Sequence, residues 1–307
     1  MCNIQKNPTR IGFLWYHQES NQGHKDFQSF ALPTELWYQK AKANILILNK
    51  AVFKCFCNFI KKCSMNLVID IGNTSVKVYL FENDEIVSKN HLNEVSLIEY
   101  VNSFSKDLNI KNIICSSVTN NYKIKLSKLF EDAEYYELSD KKLNFPFRNN
   151  YKTKNSLGQD RIGLVSAAFF KFPNENSLVV DVGTCITYDF IDSKNIYHGG
   201  AISPGINMRY KSLNKFTSNL PLLEFNNEEK MIGSSTNESI HIGVSNGIIG
   251  EINEYINRLE EKYLKLNVII TGGDSTFLLN KIKNAIFADQ DFLAIGLNNI
   301  LKYNEGH

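Results

Sequence analysis

The chain of 307 residues is as informative for what it lacks as for what it contains. It has no G-x-x-x-x-G-K-[ST] and no G-x-G-x-x-G string, so neither a Walker loop nor a Rossmann turn supplies any phosphate chemistry. Long apolar runs are missing. The best candidate, Ala43 to Ile60, is broken by Lys50 and Lys54 and falls short of the roughly 20 apolar residues a membrane span requires. It also lies too far from the start, and lacks the small-residue cleavage site, to serve as a secretory signal. Tryptophan occurs only as Trp15 and Trp37, and beyond residue 64 only Cys115 and Cys185 remain of the six cysteines. Two cysteines cannot make a disulfide framework, so a reducing cytoplasm is the expectation. The Cys55-x-Cys57-x5-Cys63 cluster lacks a C-x-x-C pair and a spaced histidine, which speaks against a structural zinc.

Charge of one sign is also lacking overall, but the net +2 conceals a split. Of the 34 Lys+Arg and 32 Asp+Glu, nine and three fall within residues 1–64, leaving 25 against 29 for residues 65–307. The slightly acidic body argues against a duplex nucleic-acid binder, which needs a basic stripe to replace counterions. Residues 1–44 show neither a sustained helical stripe nor strand alternation, and 45–62 read as a short apolar helix. Met65 immediately precedes the first core strand. Residues 1–64 are therefore expected to be an extension without order or the product of an upstream start, with Met65 the initiator.

From Met65 the pattern is α/β. Strands are predicted at 66–70, 75–82, 85–91, 112–116, 134–138, 186–191, 195–202 and 267–271, and the apolar run opening at Ser177 reads as a further strand. Helices are predicted near 94–107, 121–131, 158–170, after Pro204, at 236–262, 275–284 and 291–302. In the helix at 158–170, Ile162, Val165, Ala168 and Phe169 keep the spacing of one apolar face. The opening recurs: Ser177-Leu-Val-Val-Asp181-Val-Gly183-Thr184 repeats the form of Asn66-Leu-Val-Ile-Asp70-Ile-Gly72-Asn73-Thr74, each followed by a second strand. Periods of about 20 to 50 residues mark solenoids, and this longer offset predicts two duplicated domains, 65–175 and 176–307.

An Asp-x-Gly-(Asn)-Thr turn between consecutive strands has a definite chemistry. The glycine lets the backbone approach a ligand, and the turn amides and threonine hydroxyl suit phosphate oxygens. The aspartate can orient a hydrated Mg²⁺ on those oxygens. One such turn is a common structural hairpin; two, each opening its half of the body, point to phosphate binding. A third glycine turn, Thr271-Gly272-Gly273-Asp274, follows an apolar strand and gives a side-chain-free surface suited to adenosine, though a plain strand-to-helix turn remains open.

Repeated D-x-G-T hairpins followed by a G-G turn resemble the acetate and sugar kinase/Hsp70/actin superfamily. Within it, the chain is similar to type III pantothenate kinases through Asp70-Ile-Gly72-Asn73-Thr74-Ser75-Val76-Lys77, Tyr151, Gly158-Gln159-Asp160-Arg161, Asp181-Val-Gly183-Thr184-Cys185-Ile-Thr187, Gly199-Gly200-Ala-Ile202-Ser-Pro204-Gly205 and Thr271-Gly272-Gly273-Asp274. The likeness runs from Met65 almost to the end. The G-x-D-R and G-G-x-I-x-P-G strings discriminate, because the hairpin belongs to the whole superfamily. Two departures stand out: Cys185 replaces the usual alanine, and residues 1–64 have no counterpart.

The resemblance implies two actin-like (ribonuclease H-like) domains of mixed sheets flanked by helices. It also implies ATP-dependent phosphorylation of pantothenate, the first step of coenzyme A synthesis. Asp160 would be the general base; read alone, it is a carboxylate at a helix start. Tyr151, Gly158, Arg161 and, from a neighbouring subunit, Thr236 would hold pantothenate, which implies a homodimer. Asp70, Gly72, Asn73, Thr74, Lys77, Gly183, Thr184, Gly272 and Gly273 would hold ATP and its phosphates; Lys77 as a solvated strand residue stays open. Asp70 would orient Mg²⁺, and a monovalent cation, K⁺ or NH₄⁺, would bind near Asp181. No nucleic acid or membrane partner is implied. The competing readings are a sugar or polyol kinase of the superfamily, which Arg161 disfavours because most sugars carry no carboxylate, and a non-catalytic regulator on the same fold, which the presence of Asp160 disfavours. Intact-mass measurement of the native protein is expected to give a product beginning at residue 65 or 66; a full-length mass with retained order refutes the start at Met65.

Overall fold

The computed structural model describes residues 64–305, apart from 73–74, 118–121, 141, 229, 283 and 288–289. The expectations for the amino-terminal extension, its helix at 45–62 and its cysteine cluster lie outside the described residues, as do Asn73 and Thr74. The described residues belong to one compact unit, and none of their helices is long and apolar enough to cross a membrane.

Strand β1 (Met65–Ile71) is buried along almost its whole length, which is what a near-continuous apolar run means when a strand is covered on both faces. Leu67, Ile69 and Ile71 share a core with Leu97 and Val101 of helix α1 (Leu97–Phe104) and Leu126 of α2 (Lys123–Leu129). On the other face, Val68 packs in a cluster with Ala294, Leu297, Ile300 and Leu301 of the carboxyl-terminal helix, α6 (Phe292–Asn304). The hairpin β1, β2 (Val76–Glu82), β3 (Glu85–Leu92) is antiparallel; β4 (Ile110–Ser117) and β5 (Glu134–Glu137) are parallel additions, in the order β3-β2-β1-β4-β5.

The second sheet holds β6 (Arg148–Asn149), β7 (Ser177–Val182), β8 (Cys185–Ile191), β9 (Ile196–Pro204), β10 (Asn267–Thr271) and β11 (Ala285–Phe287), in the order β11-β10-β7-β8-β9-β6. Without the short edge strand β6, it repeats the path and strand directions of the first sheet: an antiparallel three-strand meander with two parallel strands added beside its first member. The duplication read from two short strings thus extends to whole sheets. Helix α5 (Thr236–Lys262) covers one face, setting Ile240, Val244, Ile248, Ile252 and Ile256 against Leu178, Val180, Val182 and Ile270. Helix α4 (Ile206–Lys215) adds Ile206 and Tyr210 to the same core.

The two sheets are tied by helix α3 (Gln159–Lys171) and α6. Helix α3 packs Leu164, Ala167 and Ala168 with Val179 and Ile269 of the second sheet, while α6 packs on β1 and β4 of the first. The helices meet where a side chain on Gly296 would overlap the carbonyl oxygen of Gly163. A buried amide chain fixes α6 to its sheet: Asn66 Nδ2 donates to Asn298 Oδ1 at 3.0 Å, and Asn112 Nδ2 donates to Asn66 Oδ1 at 3.0 Å.

Two expectations need correction. The helix at 158–170 is not amphipathic in the expected sense: Arg161 and residues 163–168 are buried while Ile162 and Phe169 are only half-buried, because the helix lies between two packing partners rather than over one. The helix at 275–284 is a single 3-10 turn, Ser275–Leu278, followed by the unexpected strand β11. Asn280 and Asn284 take the left-handed conformation, at φ 64° and 58°, which ends helical propagation on both sides.

Gly296→Ala is expected to lose about 1–3 kcal/mol in urea denaturation, the usual range for overpacking. Gly250→Ala, on α5 with no atom near its would-be Cβ, is expected to gain about 0.5–1 kcal/mol from helix propensity.

Candidate active site

The apolar runs Leu67–Ile69 of β1 and Leu178–Val180 of β7 carry Asp70 and Asp181 to the second-last position of each strand, just before the chain must turn. Asp70 lies opposite Lys77 on β2, and Asp181 lies between Thr187 of β8 and Thr271 of β10. The turns that follow are closed alike: Gly72 N donates to Ser75 O, and Gly183 N donates to Cys185 O, both at 3.0 Å. Gly72 and Thr184 are exposed, Gly183 and Cys185 half-buried.

The second turn is built by three strand ends. Gly205, just past β9, donates its N–H to Thr184 O at 3.2 Å. Gly272, just past β10, has φ +100° and presses on Val182 and Asp181 so closely that a side chain would overlap the Val182 carbonyl oxygen. Asp274 N completes the contact by donating to Val182 O at 2.9 Å. Gly273 is exposed, with open space where a side chain would stand, as a flat ligand surface requires.

Asp160 is exposed in the first turn of α3, where its Oδ1 accepts from Arg161 N at 2.8 Å, and Gly158 is the residue that caps this turn. Its charge reaches both strand-end carboxylates. Burial pushes Asp70 up to about 6, with Lys77 opposing and Asp160 adding to the rise. Burial pushes Asp181 up to about 7, reinforced by Asp160, Asp70 and Asp189 against Lys77. The fold therefore brings together Asp70, Lys77, Asp160 and Asp181, from four elements and both halves of the body.

A second group adjoins the first through Arg161. Its side chain is 5% exposed; its Nε donates to Asp189 Oδ1 at 2.9 Å, and its Nη2 forms an ion pair with the same oxygen at 2.8 Å. The Tyr197 hydroxyl donates to the same oxygen at 2.6 Å. The guanidinium lies 5.5 Å from the Tyr151 ring centre, and that ring stacks on Tyr197 at 6.3 Å and 13°. Burial lowers the hold of Arg161 on its proton, but the hydrogen bond and charge of Asp189 more than reverse this, so Arg161 stays charged. Burial also pushes the Asp189 carboxyl up, while Arg161 and Tyr197 pull it back.

Asp189 and Tyr197 were not expected from sequence. The available signal was a carboxylate placed mid-strand in Cys185-Ile-Thr-Tyr-Asp189-Phe-Ile191, where desolvation demands a partner. Thr236 is brought to none of these groups; it is exposed as the first residue of α5, behind the cap in which Ser235 Oγ accepts from Glu238 N at 3.3 Å. Among the described residues, no cluster of three His, Cys, Asp or Glu side chains could enclose a metal ion.

The family model for type III pantothenate kinases matches residues 66–258. The chain belongs to the type III pantothenate kinase family. A type III pantothenate kinase of Flavobacterium psychrophilum is 40% identical over 247 residues, covering 78% of this chain and 100% of the relative. Among solved structures, a Campylobacter jejuni protein described as a Baf family transcriptional activator is 26% identical, with TM-score 0.55 over 78% of this chain and 100% of its own. A Listeria monocytogenes protein described as an N-acetylmannosamine kinase shares the fold at 13% identity and TM-score 0.51, over 78% and 99%. The two mixed sheets with their flanking helices are thus the actin-like kinase architecture that the motifs implied.

In this pantothenate kinase family member, the raised pKa values of Asp70 and Asp181 make stability depend on pH. Both groups hold protons in the folded chain that the unfolded chain releases near pH 4, so stability falls as pH rises from about 4 through 7 and then levels. Without added divalent cation or nucleotide, the melting temperature is expected to be lower at pH 8 than at pH 5.5. Differential scanning fluorimetry should show a smaller drop in Asp181→Asn.

Proposed function

We propose that the protein transfers the γ-phosphoryl group of ATP to the primary hydroxyl of pantothenate, giving 4′-phosphopantothenate and ADP at the entry to coenzyme A synthesis. The convergence of Asp70, Lys77, Asp160 and Asp181 at the ends of two duplicated hairpins carries this reading, together with membership of the family. Asp160, exposed and with one oxygen engaged by the Arg161 N–H, is the general base. It takes the hydroxyl proton as the new O–P bond forms and the bond to the β-phosphate oxygen breaks. The turn groups of Gly72, Asn73, Thr74, Gly183 and Thr184, with Lys77, hold the phosphates, while Gly272 and Gly273 form the surface for adenosine.

The residues fit a divalent cation that arrives with the nucleotide. Asp160 adds to the rise at both Asp70 and Asp181, and Asp70 adds to that at Asp181, which favours a positive charge beside them; Mg²⁺ keeps most of its ligands as water and phosphate. When bound, Mg²⁺ neutralises charge on the transferring phosphoryl group. Asp70 orients it through water, and Asp181 adjoins the site of a monovalent cation, K⁺ or NH₄⁺. Tyr151, Gly158 and Arg161 line the pantothenate side. Since Asp189 already neutralises Arg161, recognition of the substrate carboxylate falls to guanidinium N–H groups rather than to net charge.

Thr236 completes the site from a second subunit of a homodimer. The exposure of Thr236 and of the apolar residues Met231 and Ile232 just before it supports this assignment. The cytoplasm is the compartment in which the reaction takes place.

A regulator without catalysis is the competing reading, suggested by the name given to the Campylobacter jejuni structure. The full chain with ATP, Mg²⁺ and K⁺ is expected to convert pantothenate to its 4′-phosphate, detected by mass spectrometry. Asp160→Asn is expected to lower kcat by about 10²-fold or more. No phosphopantothenate, with turnover of a sugar panel or of nothing, would overturn the proposal.

A further inference from the structure

Asp189 is 0% exposed in the middle of β8, and a carboxylate there is tolerated only if its charge is compensated. The compensation is concentrated on one oxygen. Arg161 Nε and the Tyr197 hydroxyl donate to Oδ1 at 2.9 and 2.6 Å, and Arg161 Nη2, which donates to Tyr188 O at 3.4 Å, lies 2.8 Å from the same oxygen as an ion pair. The Nε–Nη2 edge of the planar guanidinium therefore faces Oδ1, and this contact sets both its position and the direction of its plane. Arg161 Nη1 takes part in neither bond to Asp189.

The surroundings limit other orientations. Tyr151 covers the guanidinium and stacks on Tyr197, whose hydroxyl reaches Asp189. Tyr151 is itself placed by β6: its N–H donates to Asn149 Oδ1 at 2.8 Å, and Asn149 pairs with Tyr197 on β9. Behind the Tyr151 ring stands Gly199, with φ +87°, where a side chain would come within 2.7 Å of the ring.

We infer that Asp189 is a positioning residue for substrate recognition: with Tyr197 it aims the Arg161 guanidinium and cancels its charge, so that Arg161 meets the substrate's carboxylate through fixed N–H donors. The inference rests on the pantothenate reading above. Asp189 touches no reacting atom; it acts through Arg161.

The test compares pantothenate with its alcohol counterpart, in which a hydroxymethyl group replaces the carboxylate. Asp189→Asn in the full chain is expected to lower kcat/KM for pantothenate about 10- to 100-fold, mainly through KM, as befits loss of a charged hydrogen-bond partner. For the alcohol, kcat/KM should stay within about threefold, as should KM for ATP. Tyr197→Phe keeps the carboxylate and removes one donor to it; a loss of about 3- to 10-fold confined to pantothenate is expected. It decides the matter alone if Asp189→Asn fails to fold, which melting curves reveal. Equal losses on both substrates, or an unchanged preference between them in both variants, would show a merely structural ion pair and overturn the inference. An unaltered chain that phosphorylates no pantothenate removes the functional reading itself and this inference with it, a failure visible before any variant is made.

Discussion

The site depends on like charges being held together. The charge of Asp160 raises the proton affinity of Asp70 and Asp181, and Asp70 adds to that of Asp181, with Lys77 as the opposing charge. Nothing local in the turns would keep such a set assembled. The restraint comes from apolar strands whose burial is worth more than the charge repulsion they impose, since each fully buried aliphatic side chain contributes about 1.5–3 kcal/mol. Leu67, Ile69, Leu178 and Val180 are fully buried, and the carboxylate that follows each run has no other place to go.

The joint between the sheets matters as much as the sheets. Asp70 belongs to the first sheet, Asp181 to the second, and Asp160 to the helix that packs against both α6 and β7. Their mutual placement is therefore set by the contact of α3 with α6 and by the Asn66–Asn298 amide chain that holds α6 to β1. Repulsion within the assembled site favours a cation arriving with a nucleotide, while Asp160, proposed above as the base, stays exposed directly beside Arg161 in the chain.

Much of this was legible from the chain alone. The two Asp-x-Gly turns, the glycine pair at 272–273 and the G-x-D-R string all lie at the ends of regular elements, where function is less masked by packing. Strand β7 and helix α5 were equally plain, because the apolar periodicity there is long. The failures have specific causes. Helix α3 is buried on more than one side, so its pattern did not report its surroundings. Residues 275–284 contain asparagines whose left-handed conformation defeats helix continuation. Asp189 was passed over because a single carboxylate in an apolar strand does not name its partner, and Arg161 is 28 residues away in the chain.

By itself the sequence determined the duplicated strand-turn-strand units, the fold class that follows from them, and which residue types stand at the turns, because these are local patterns with short-range physical meaning. Only the tertiary structure decided that the turns converge, that Asp70 and Asp181 are pushed toward neutral pH, and that Arg161 is already paired with Asp189. Those properties come from desolvation and from charges brought together across more than a hundred residues of chain, and neither is encoded at any single position.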